Sequence, residues 1–319
     1  MNKATVIALE EHYFDPEVTK HFKDGGPETR LPALRDRLFD VGEQRLKEMD
    51  EAGIDVQVLS HGAPATQRMD AQTAIPVARQ ANDKLHALVR GSGKRFEGFA
   101  ALPTADPKAA ADELERAVTR LGFKGAMIHG LANGVFLDDR RFRPIFERAQ
   151  ALDVPLYMHP AIPHPAVVDA YYRDYLEEFP ALLTAGWGFT VETATQAIRL
   201  VLSGLFDAYP RLKIILGHLG EGLPFSSWRI DMALARQGNR ATPFRDCFRE
   251  HFWITTSGNF STPALLCCVL EMGVDRILFS IDYPFVLNPP GIRWMQDVPL
   301  GPEDRAKILG GNARLLLKM

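Results

Sequence analysis

The chain has 319 residues, 46% hydrophobic and 24% charged, which supplies enough apolar material for a large core and places it in the ordinary soluble range. Its 37 lysines and arginines against 40 aspartates and glutamates give a formal charge of −3, so the basic surplus that tracks a phosphate backbone is missing and no nucleic-acid partner is expected. Cys247, Cys267 and Cys268 show neither metal-ligand nor disulfide-framework spacing, which fits a reducing cytoplasm.

The N-terminus offers Lys3 and then a short apolar run before Glu10, Glu11 and His12, too short for the core of a signal peptide. No stretch approaches the ~20 apolar residues that a bilayer requires, so a cytoplasmic protein without membrane association is expected. Apolar, β-rich runs recur at 5–9, 56–60, 96–101, 126–129, 156–159, 214–218, 253–256 and 277–281. Their continuity, in place of strict alternation, suits parallel strands covered on both faces.

Helices are predicted over 36–52, 71–93, 107–121, 140–152, 190–205, 223–237, 263–272 and 302–317. Asp106 before Pro107, Thr262 before Pro263 and Gly301 before Pro302 mark starts, and Gly53, Gly122 and Gly273 mark stops. Eight strand–helix units in this order predict an α/β fold, a single (β/α)8 TIM barrel domain spanning 1–319. No strand leads into a Gly-x-Gly-x-x-Gly turn or a phosphate-binding loop, as an open nucleotide-binding sheet usually needs. Gly25, Gly26, Pro27 and the charged stretch to Asp36 are expected to form a long loop after the first strand, a candidate lid.

Polar residues collect where the runs end. The two-residue period of a strand puts Glu10 and His12 on one side and Glu11 on the other. His159 ends the fifth run before Pro160, and Asp282 follows the eighth before Tyr283-Pro284. Alone, Glu10 and His12 are as easily a solvated charge and a polar cap, and a strand-end histidine such as His159 is more often structural than a ligand. Together, two imidazoles and two carboxylates reaching one rim match the mixed shell that zinc, manganese or iron accepts, with positions left for water and substrate. One divalent ion on Glu10, His12, His159 and Asp282 is therefore expected.

His218, in Gly217-His218-Leu219-Gly220-Glu221, lies on a glycine-flanked turn with Glu221 near enough to orient the imidazole. A proton shuttle or substrate-polarising role is expected, with a fifth ligand or a helix-entry cap as the plainer readings. Arg229 either anchors a substrate carboxylate or pairs with Asp231 or a neighbouring subunit. His61, His129 and His164 fall near strand tops, and His129, at the end of the fourth run, is the candidate for substrate contact.

These motifs closely resemble the amidohydrolase-related barrel family that includes the γ-resorcylate and 2,3-dihydroxybenzoate decarboxylases. The matching stretches are Ala8-Leu9-Glu10-Glu11-His12, Asp153-Val154-Pro155-Leu156-Tyr157-Met158-His159-Pro160, Leu216-Gly217-His218-Leu219-Gly220-Glu221, Thr255-Thr256-Ser257-Gly258 and Ile277-Leu278-Phe279-Ser280-Ile281-Asp282-Tyr283-Pro284-Phe285. The resemblance implies Glu10, His12, His159 and Asp282 as metal ligands and Asp282, His218 and Glu221 as the catalytic group. It also implies Zn2+ or Mn2+, no organic cofactor, and a homodimer or homotetramer. Two positions depart from the family: His129-Gly130 stands where those enzymes place an Asn, and Pro160-Ala161-Ile162 where an Arg follows the His-Pro.

The expected activity is non-oxidative decarboxylation of an ortho-hydroxylated aromatic acid. Its alternative is metal-dependent hydrolysis of a lactone, ester or amide, with a hydratase also compatible. A non-catalytic binding barrel would have no need of four convergent ligands.

Overall fold

The computed structural model describes residues 4–22, 31–235 and 243–319. Strands and helices alternate along it as the apolar runs predict. The strands are β1 (Ile7–Tyr13), β2 (Val56–His61), β3 (Phe96–Gly98), β4 (Ala100–Ala101), β5 (Ala126–His129), β6 (Leu156–His159), β7 (Ile214–Leu216), β8 (Phe252–Thr255) and β9 (Ile277–Leu278). All neighbouring pairs are parallel, in the orders β1-β2-β3 and β4-β5-β6-β7-β8-β9.

β3 and β4 are two halves of one stave of a (β/α)8 barrel. Phe99 N still donates to Leu59 O of β2 at 2.9 Å, whereas Ala100 N turns to Gly125 O ahead of β5 at 3.0 Å. The stave thus bends from one neighbour to the other.

The continuous apolar runs divide by period two. Ile7, Leu9, Val58, Phe99, Met127, Tyr157, Ile215 and Leu278 pack together inside the barrel, with Ala313, Leu316 and Leu317 of the last helix against them. Their neighbours Ala8, Leu59, Ala126, Ile128, Leu156, Met158, Ile214 and Leu216 face the helices in a second core. Each strand is buried on both faces, which is why no polar alternation is visible in the sequence. The same period carries Tyr157 and His159 to one side of β6.

Several boundaries differ from expectation. β1 runs on through Glu10-Glu11-His12, all buried, with a register shift against β2 between Ala8 and Glu11. β9 ends at Leu278 because Phe279 N leaves the ladder for Ile308 O at 3.0 Å and side chains take the following backbone groups. The helix expected over 36–52 is two, Pro32–Phe39 and Glu43–Ala52, since the Asp40 carboxylate accepts from Gly42 N at 2.6 Å and turns the chain between them. The candidate lid accordingly ends in a helix, and its residues 25–30 lie outside the described residues. The helix expected over 223–237 is described as Leu223–Ala235. Helices Phe244–His251 and Asn288–Asp297, and the irregular helical segment between β6 and the helix Gly188–Leu202, were not expected. Among the described residues no helix is long and apolar enough to cross a membrane.

His61, at the end of β2, is structural. Its Nδ1 donates to Gly62 O at 2.8 Å and its Nε2 accepts from Asp15 N at 3.1 Å, with the Phe14 ring stacked on it. Burial pulls its imidazole down to about 4. The unfolded chain, with an ordinary value near ~6.5, takes up a proton as pH falls while the folded chain does not. The contribution is complete above pH ~6.5 and is lost progressively as pH falls towards 4, roughly 2 kcal/mol by pH 5. Urea unfolding at pH 7.5 and pH 5 should show His61→Phe losing about 2 kcal/mol less across that interval than the parent. An identical loss in both proteins would contradict this assignment.

Candidate metal centre and active site

The four side chains expected to meet do so at the C-terminal mouth of the barrel, where such folds assemble their sites. Glu10, His12, His159 and Asp282 each offer one ligand atom, all within 4.8 Å of one another. His159 Nε2 lies 3.2 Å from Glu10 Oε1, and His12 Nε2 lies 3.4 Å from Asp282 Oδ1 and 4.0 Å from Glu10 Oε1. Glu10 Oε1, His12 Nε2 and Asp282 Oδ1 are buried without a hydrogen-bond partner. Three orphaned atoms on one spot would each carry a desolvation penalty, and a shared cation satisfies all three. The donor set, two nitrogens and two oxygens, fits a divalent metal.

The rest of each side chain is held so that only the ligand atom remains free. Glu10 Oε2 accepts from the hydroxyls of Tyr157 and Ser257, with Thr255 Oγ1 at 3.4 Å, leaving Oε1 to face the others. Burial alone would raise the Glu10 carboxyl, but the neighbouring His218 imidazole and the contact with His159 outweigh it and hold the group well below the carboxylate range. Ser60 Oγ lies 3.2 Å from His12 Nδ1, so a donated Nδ1–H leaves Nε2 with its lone pair.

His159 is held the same way. His129 Nε2 faces His61 O at 2.9 Å and carries its proton there, so its Nδ1 accepts from His159 Nδ1, also at 2.9 Å. Pro160 O, 2.7 Å from His159 Nδ1, adds a second acceptor. The free lone pair of His159 is therefore on Nε2, the atom facing Glu10.

His218 stands beside this group, its Nε2 3.7 Å from both Glu10 Oε1 and Asp282 Oδ2. Its Nδ1 bonds Glu221 Oε1 at 2.7 Å, and Glu221 Oε2 accepts from Thr190 Oγ1 at 2.8 Å. Burial would lower the imidazole, but Glu221, Glu10 and Asp282 outweigh it and raise it well above its ordinary value. The backbone carrying it is unusual. His218, Leu219, Gly220, Glu221 and Gly222 all have positive φ, from 51° to 75°, and Asp282 has φ 74°. Strained backbone in an over-determined setting is characteristic of functional sites. Gly217 opens this turn because a Cβ there would meet Glu10 Oε2 at 2.7 Å.

A protein-family model described as Amidohydrolase matches residues 18–319. The chain belongs to the amidohydrolase family. It is 44% identical over 327 residues to a γ-resorcylate decarboxylase of Polaromonas sp. (strain JS666), covering 98% of each. Among solved amidohydrolase structures it is similar to a dihydroxybenzoic acid decarboxylase of Polaromonas sp. JS666 with bound manganese and 2-nitroresorcinol, with a TM-score of 0.92 and 44% identity over 99% of this chain and 97% of that one. A 5-carboxyvanillate decarboxylase of Novosphingobium aromaticivorans DSM 12444, complexed with manganese and 4-hydroxy-3-methoxy-5-nitrobenzoic acid, gives a TM-score of 0.91 at 31% identity, over 99% of this chain and 96% of that one.

Of the two residues expected to contact substrate, one is committed to another side chain and the other is exposed to solvent. His129 is buried behind His159 with both ring nitrogens engaged, so it supports His159 and presents no nitrogen to a substrate. Arg229 is exposed on the helix Leu223–Ala235 and, among the described residues, makes no hydrogen bond or ion pair to the site residues. His164 is exposed and accepts from Ala166 N at 3.2 Å. Sequence reasoning missed Ser60 and the three hydroxyls on Glu10. Tyr157 was within reach, because it precedes His159 by two residues in a strand.

Proposed function

We propose that this amidohydrolase is a metal-dependent, non-oxidative decarboxylase of an aromatic acid with a hydroxyl ortho to the carboxylate. The observation that carries the reading is the meeting of three orphaned ligand atoms and His159 Nε2 directly beside the His218–Glu221 pair. The named relatives support the substrate class, since 2-nitroresorcinol places a nitro group between two phenolic hydroxyls where 2,6-dihydroxybenzoate has its carboxylate. Glu10, His12, His159 and Asp282 would hold the ion, and manganese is favoured over zinc by the metal in the relatives.

The bound ion supplies Lewis-acid stabilisation of negative charge on the substrate oxygens. Asp282 delivers a proton to the ring carbon that bears the carboxylate. The C–C bond then breaks, its electron pair returns to the ring, and carbon dioxide leaves. His218, its Nδ1 bonded to Glu221, faces Asp282 Oδ2 and returns the proton that Asp282 gives up. No organic cofactor enters this scheme.

Chain 1–319 reads as one domain, because β1 near the start and the segment after β9 near the end meet at one site. A homo-oligomer is favoured by Phe225 and Trp228, which are 86% and 60% exposed on the helix that carries Arg229. Turnover of 2,6-dihydroxybenzoate by manganese-loaded protein in D2O should give resorcinol with one deuterium at C2, together with carbon dioxide. Solvent oxygen-18 in the organic product, or inertness towards a panel of ortho-hydroxybenzoates, would overturn the reading.

A further inference from the structure

On the side of β1 away from Glu10 and His12 lies a second buried group that none of the chemistry above uses. Glu11, Arg45 and Gln57 are all fully buried. Glu11 Oε1 accepts from Ser280 Oγ and from Ile281 N, each at 3.0 Å, and Oε2 accepts from Tyr283 N at 3.2 Å. Those two amides bracket Asp282. Gln57 Nε2 donates to Glu11 Oε2 at 3.4 Å, and Arg45 Nη1 donates to Gln57 Oε1 at 3.3 Å. Arg45 Nη2 donates to His12 O at 2.6 Å, and its guanidinium lies 4.7 Å over the Tyr283 ring.

This group sits at the seam of the barrel. β9 stops pairing at Leu278, and the backbone bond from β1 to the segment that follows is His12 N to Tyr283 O, at 2.7 Å. Burial pushes the Glu11 carboxyl up to about 8, so a charge here is a poor way to stabilise a seam that apolar residues and a backbone ladder could close. Yet four donors converge on its two oxygens and leave it only acceptor roles. A carboxylate, however, can accept from two amides either side of one residue and hold that residue in a left-handed conformation. A regular parallel ladder would keep Asp282 extended.

We propose that Glu11, linked to Arg45 through Gln57, is a positioning residue that closes the β1–β9 seam and aims His12 and Asp282 at one point. The proposal rests on the metal-site reading above, and its test separates the two. Glu11→Gln keeps the shape of the side chain but sets a donor against the donors it must accept from. Manganese affinity of the metal-free protein, measured by titration calorimetry, should fall at least ~10-fold. Amide exchange at Ile281 and Tyr283 in metal-free protein should accelerate by a similar factor.

Leu114→Ala, in the fully buried core beneath the helix Pro107–Leu121, serves as the control for general destabilisation. At an equal or larger drop in Tm it should bind manganese as the parent does. If Glu11→Gln yields no folded protein, Gln57→Met replaces it, with the same two losses expected. A parent protein that binds no manganese overturns the metal reading. A parent that binds, with a variant matching it in affinity and exchange, overturns the seam proposal alone.

Discussion

Asp282→Asn should lower kcat by about a thousandfold while leaving the folded chain intact. Asp282 has φ 74°, and asparagine is one of the few residues that tolerates that region, so the backbone is preserved while the acidic proton and the anionic ligand oxygen are lost. A variant with near-normal turnover would show that the ring proton comes from elsewhere. Circular dichroism and Tm measured beside the kinetics separate a chemical effect from a folding one.

The second large effect belongs to His218. His218→Asn keeps a residue suited to φ 51° but removes the imidazole, and kcat should fall about a hundredfold. Manganese affinity should change by only a few-fold, since Glu10, His12, His159 and Asp282 all remain. Glu221→Gln should cost less, about tenfold, because the imidazole stays and loses only its anionic partner. If His218→Asn instead loses the metal outright, His218 is a fifth ligand and the proton relay proposed for it is wrong.

The barrel was legible because its strands are buried on both faces and read as unbroken apolar runs separated by well-marked helices. The convergence of Glu10, His12, His159 and Asp282 followed from their place at strand ends. Several features hid the rest. Side chains replace backbone at the seam, so Glu11 appeared only as the residue on the far side of a strand, and the early end of β9 had no sequence signature. His129 was drawn towards the substrate by its place at a strand end, when the register of β5 on β6 sets it directly opposite His159. A strand-end histidine facing another histidine across one ladder step is better placed to orient that neighbour than to reach a ligand. Arg229 lies on a helix face that periodicity alone could not assign to the mouth or to the outside.

The most direct test is a crystal of active, manganese-loaded protein measured at the manganese absorption edge. The account predicts one strong anomalous peak at about 2.0–2.3 Å from Glu10 Oε1, His12 Nε2, His159 Nε2 and one oxygen of Asp282. Active crystals with no peak at that point, or with the ion bound away from those four atoms, would contradict it.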